Sequence, residues 1–88
     1  MAWTIEFLPE VEKDLGKIGK AEAKRIIATL ENRVAKLDDP RQLGSALSGD
    51  LGGYWRWRIG DYRVVARIKD ERVTILVVRV GHRREVYR

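Results

Sequence analysis

Nine side chains in two stretches are the ones in this sequence equipped to act on a phosphate ester. Tyr54, Arg56, Arg58, Arg63 and Arg67 recur in YWRWRIGDYRVVARIK, and His82, Arg83, Arg84 and Tyr87 belong to the closing HRREVYR. Arginine presents a planar, permanently charged fork that matches phosphate oxygens. A tyrosine stacks on an unpaired base, and a histidine of ordinary pKa, about 6.5, moves protons at neutral pH. Together these are the parts of a metal-independent RNA cleavage, in which the 2′-hydroxyl attacks the adjacent phosphate. Glu85 is the one carboxylate after Gly81. With no cysteine and a single histidine, a disulfide framework and a thiolate metal site are excluded, and neither a histidine metal cluster nor a cofactor is expected.

Two strands must hold the first group. The runs on either side of Gly60-Asp61 alternate at period two, the pattern of a β-hairpin with a two-residue turn. Closing it there sets Ile59 opposite Tyr62, Arg58 opposite Arg63, Arg56 opposite Val65 and Tyr54 opposite Arg67. One face then carries Tyr54, Arg56, Arg58, Arg63 and Arg67; the other carries Trp55, Trp57, Ile59, Tyr62, Val64, Ala66 and Ile68. Arginines directly opposite each other repel, so an anionic partner accounts for them better than stability does. A second turn at Asp70-Glu71 leads to RVTILVVRV, an interior strand by its β-branched content. If Lys69 opposes Arg72, then Val73, Ile75 and Val77 join the tryptophan face. Thr74, Leu76, Val78 and Val80 join the arginines, and Gly81 ends the strand. Val65, Leu76 and Val78 then form an apolar patch beside the arginine bank, a surface for a protein partner.

The remaining elements supply the support. Trp3, Ile5 and Phe7 alternate in a short opening strand. Pro9, with Glu10 and Glu12 behind it, starts a helix that Gly19 ends, and a second helix runs from Lys20 to Leu37 with Ala23, Ile26, Ile27, Leu30, Val34 and Leu37 on one face. Residues 41–53, with four glycines and two serines, read as an ordered loop. The expected fold is α+β: two N-terminal helices on one face of a small, mostly antiparallel four-stranded sheet, in one domain spanning residues 1–88.

Charge follows the same division. Residues 1–40 sum to −1 and residues 41–88 to +6, and ten of the eleven cations in the second part are arginine. That excess points to nucleic acid. The N-terminus lacks the features of a signal peptide and no apolar run of 18 residues occurs, so a soluble, cytoplasmic protein without membrane contact is expected.

The "LSGDLGGYWRWRIGDYRVVARI" stretch and the terminal "VRVGHRREVYR", after a strand and a Pro-initiated helix pair, resemble the RelE/ParE superfamily of type II toxin-antitoxin toxins, the RelE branch more closely. The resemblance covers nearly the whole chain. It implies a toxin that enters the ribosomal A site, cleaves messenger RNA there, and is held inactive in a complex with a small acidic antitoxin. By the same resemblance Arg63 stabilises the charged phosphate, Arg83 serves the leaving 5′-oxygen and Tyr87 orients the nucleotide. Tyr54 and Arg56 stand where RelE toxins place lysines, one of them proposed as the base. Arginine stays protonated, so Arg56 clamps phosphate, as Arg58, Arg67 and Arg84 do, and His82 is the candidate base. The ParE branch shares the fold but acts on DNA gyrase, which makes a non-nucleolytic toxin the alternative.

Overall fold

In the computed structural model, which describes residues 2–82, the alternating N-terminus forms strand β1 (Thr4–Phe7). Helix α1 (Pro9–Ile18) follows, with Pro9 in its first turn and Glu10 and Glu12 against the positive end of its dipole. Gly19, at φ 94°, turns the chain directly into helix α2 (Lys20–Thr29), a conformation that a side chain would oppose. The helical path then widens into a π turn over Leu30–Val34 instead of staying α-helical to Leu37. Ala35 donates its N–H to the carbonyl of Leu30 at 2.8 Å, and its own carbonyl accepts from the N–H of Trp3 at 2.7 Å. The wide turn keeps Leu30 and Val34 both buried while tying the helix end to the chain entering β1.

The sheet has five strands in the order β1-β5-β4-β3-β2, one more than the four expected. The extra strand, β2 (Ser45–Ala46), lies in the glycine-rich loop and pairs antiparallel with Trp55 and Arg56 at the start of β3 (Trp55–Ile59). Two residues among glycines and serines carry no alternation to reveal them. β4 (Tyr62–Lys69) and β5 (Thr74–His82) complete the sheet, and β1 lies parallel to β5, Thr4 beside Thr74 through Phe7 beside Val77. Both helices cover the tryptophan face. Val11, Ile26, Leu30 and Val34 meet Trp57, Ile59, Val64, Ala66, Ile75, Val77 and Val80 in one core.

The hairpin register is the expected one, closed at Gly60 with φ 60°. The next turn differs. Lys69 pairs with Thr74, not Arg72, because Asp70–Arg72 form a 3₁₀ turn and Val73, at φ 49°, takes a left-handed conformation. Val73 therefore does not join the tryptophan face as a strand residue. Ile75 and Val77 do, opposite Ile68 and Ala66, and Leu76 faces Arg67.

Beyond that point a β-bulge intervenes. Ala66 pairs with Val77 but Val65 pairs with Arg79, which leaves Val78 as the extra residue. The alternation of β5 is reset by one residue. Val80 consequently pairs with Val64 and is 2 % exposed within the core, so its expected place on the arginine face is corrected. The strand also continues through Gly81 to His82 instead of ending at Gly81.

Candidate functional site

The hairpin and β5 arrange the arginine face in cross-strand rows. The row nearest the turn is Arg58, Arg63 and Gly81; the next is Arg56, Val65 and Arg79. In the third, Arg67 pairs with Leu76, and its guanidinium lies 5.7 Å from the Tyr54 ring centroid, a cation–π contact. Tyr54, Arg56, Arg58, Arg63 and Arg67 are thus brought together as the sequence predicts.

Arg63 is the unusual member. It is only 8 % exposed, and Arg58 stands directly opposite it. One terminal nitrogen reaches the Tyr62 carbonyl at 3.5 Å, at the outer limit of a hydrogen bond, and among the described residues its Nε has no partner. A buried cation with an unmet donor is unfavourable for the folded chain by itself.

His82 pairs with Tyr62, and their rings meet edge to face at a centroid distance of 6.0 Å. Tyr62 in turn pairs with Ile59 of the core side. The register therefore sets His82, half-buried, on the face opposite Arg63, and it reaches a phosphate there only around the end of β5. Arg83, Arg84 and Tyr87 lie outside the described residues.

Of the apolar patch, Leu76 and Val78 are half-buried, but Val65 is 3 % exposed and is not the open contact residue expected. Val65 stands between Arg56 and Arg79 in its row, where long stems can cover a small side chain; alternation tells its face and not its cover.

Three features of the surroundings were not visible in the sequence. Arg79 joins the arginine face through the bulge. Asp14 of α1 accepts the N–H of Val80 through Oδ2 at 3.0 Å, at a level of β5 that lies past the last β1 rung, Leu8 N–H to Val77 carbonyl. Arg41, in the 3₁₀ turn Pro40–Leu43, contacts Asp70 at 2.7 Å and Asp39 at 3.1 Å and lies 5.6 Å from a Trp55 ring centroid. It ties the loop before the hairpin to the turn after it. The Arg41 contact holds the Asp70 carboxyl below its ordinary value of 3.8, and chiefly the Asp70 contact raises the Arg41 guanidinium. Opposite-charge pairs distant in sequence leave no local pattern to read.

Under the hairpin, Trp57 donates Nε1–H to the Pro40 carbonyl at 3.0 Å. Gly44 lies so close that a Cβ there would come within 3.1 Å of that nitrogen. A hollow of about 130 Å³ lies against the helix layer between Arg33, Val34, Leu43, Trp57 and Arg58, so that Arg58 also borders the helix side. No helix among the described residues is long and apolar enough to cross a membrane.

A family profile described as ParE toxin of type II toxin-antitoxin system, parDE, matches residues 5–87. The chain belongs to the RelE/ParE family of type II toxins. It is 33 % identical to Toxin RelG of Mycobacterium tuberculosis, over all of this toxin and 99 % of the relative. The toxin-antitoxin complex RelBE2 from Mycobacterium tuberculosis contains a chain that superposes with a TM-score of 0.86 at 28 % identity, covering 94 % of this toxin and 93 % of that chain. The isolated E. coli RelE toxin matches with a TM-score of 0.68 at 23 % identity, over 98 % of this toxin and 92 % of that chain, a likeness of fold.

Proposed function

We propose that this toxin is a ribosome-dependent messenger RNA endoribonuclease that works without metal. The observation that carries the reading is Arg63, a nearly buried guanidinium with an unpartnered Nε beside Arg58. The 2′-hydroxyl oxygen attacks the adjacent phosphorus and gives up its proton, the bond to the 5′-oxygen breaks, and that oxygen takes a proton. The products are a 2′,3′-cyclic phosphate and a 5′-hydroxyl. Negative charge gathers on the phosphoryl oxygens in between, where preorganised cations are most effective. Arg63 takes that charge, and Arg56, Arg58 and Arg67 hold flanking phosphates. Arg83 at the leaving oxygen, Tyr87 on the nucleotide, Arg84 on phosphate and His82 as proton acceptor complete the proposed set. Because His82 shares the face of Tyr62, its role requires the substrate to reach around the end of β5.

The proposed protein partner is a small acidic antitoxin. Leu76 and Val78 are its apolar contacts and the arginine bank its charged ones, so that binding occludes RNA. The RelBE2 chain similar to this one comes from a toxin-antitoxin complex. A second reading, action on DNA gyrase, is favoured by the ParE description of the matching family.

The deciding experiment is induced expression followed by mapping of messenger RNA ends, repeated with purified ribosomes. New ends in translated message that depend on ribosomes, and that Arg63→Ala abolishes in a folded protein, are expected. Growth arrest with intact message would overturn the reading and favour gyrase.

A further inference from the structure

We infer that Arg79 is a phosphate-binding residue, recruited to the arginine face by the β5 bulge; the inference rests on the reading of this face as an RNA site. The register carries the argument. Continued unbroken from Ala66 and Val77, the ladder would set Val78 opposite Val65, Arg79 opposite Val64 and Val80 opposite Arg63. Arg79 would then point into the core beside a fully buried valine, and Val80 would stand among the arginines. With Val78 bulged out, Arg79 pairs with Val65 and is exposed, and Val80 is buried against Val64. One inserted residue thus exchanges a valine for a cation on the working face.

The position matters as much as the charge. Arg79 shares its row with Arg56, one on each side of Val65. Along its own strand it stands two residues from Gly81, which lies opposite Arg63 and presents no side chain. Two residues along a strand span about 7 Å and neighbouring strands are about 5 Å apart, so positions 56, 63 and 79 lie within reach of one phosphodiester segment over Gly81 and Val65, and Arg79 also borders a hollow beside Asp14 and Lys17 of α1. A single strand of RNA lying across β3, β4 and β5 meets cations on all three. The bulged phase is held from outside the sheet by Asp14, whose carboxylate takes the Val80 N–H where β1 no longer reaches.

A contact of this kind is independent of sequence and acts on binding. It is tested by titrating the full-length toxin into a fluorescent single-stranded oligoribonucleotide carrying 2′-O-methyl groups, which cannot be cleaved, at several salt concentrations. Each phosphate contact adds about 0.7 to the steepness of log K against log salt for single strands. Arg79→Gln is expected to weaken binding and flatten the slope by about 0.7, Arg79→Lys to restore the slope, and Arg72→Gln, in the exposed 3₁₀ turn, to leave it unchanged. If Arg56→Gln flattens the slope and Arg79→Gln does not, the inference fails while the RNA reading stands. Equal effects of Arg79→Gln and Arg72→Gln would also overturn it, as a general charge effect. A wild-type toxin with no salt-dependent RNA binding would remove both.

Discussion

Replacing Arg63 with methionine should make this toxin more stable and inactive at once. Methionine is flexible, apolar and of similar reach, so it can occupy the nearly buried site of Arg63. Among the described residues, what the substitution removes is an unpartnered Nε and a cation opposite Arg58, and what it gives up is one marginal contact of 3.5 Å to the Tyr62 carbonyl. A buried donor without a partner costs about 1–3 kcal/mol, and exchanging buried ionic groups for apolar ones of like volume is neutral or stabilising by about 1–4 kcal/mol. In a domain of this size each kcal/mol moves Tm by about 4–8 °C, so a rise on the order of 10 °C is expected. Thermal unfolding followed by circular dichroism measures it, and growth arrest on induction reports the lost activity, which should fall by about 10²- to 10³-fold if a preorganised charge at the developing anion is removed. A lower Tm in Arg63→Met would mean that the guanidinium supports the fold, and the case for an anion receptor would collapse.

Trp57→Ala should cost about 3–5 kcal/mol, since the side chain is 1 % exposed and its Nε1–H satisfies the Pro40 carbonyl; an unchanged denaturation midpoint would contradict its place in the core. The Arg41 contact with Asp70 should make stability depend on acid. Because the folded carboxyl lies below its ordinary 3.8, the contribution is complete above that value and is lost as pH falls through the folded pKa. A stability gap between wild type and Asp70→Asn at pH 7 should therefore close below pH 3.8; a gap that persists would assign the effect to something other than this ionisation.

The hairpin was legible because its turn chemistry and its alternation agree: Gly60-Asp61 sets the register, and the tryptophan and arginine faces follow. The helix pair was legible for a similar reason, with Pro9 and Gly19 marking ends that the apolar spacing already implied. Illegibility began where neighbouring residues are chemically alike. In VVRV nothing distinguishes the residue that the ladder skips, so plain alternation puts Val80 on the wrong face and leaves Arg79 off the arginine face. Val73 shows a second limit, since a β-branched residue in a left-handed turn runs against local preference and is held there by the strands that it joins. Val65 shows a third: the face of a residue is local information, but what lies over it is not.

The parallel pairing of β1 with β5 has a consequence for how the toxin comes into being. The first described strand has its sheet partner in the last described one, with α1, α2 and the whole hairpin between them. Contacts that span the full chain form late and only when both ends are present. A polypeptide emerging from its own ribosome has the hairpin and its arginines before it has β5, and without β5 neither β1 nor the bulged row of Arg79 has a place to sit. The arginine face is therefore completed only once β5 has been made, after every other described element of the fold.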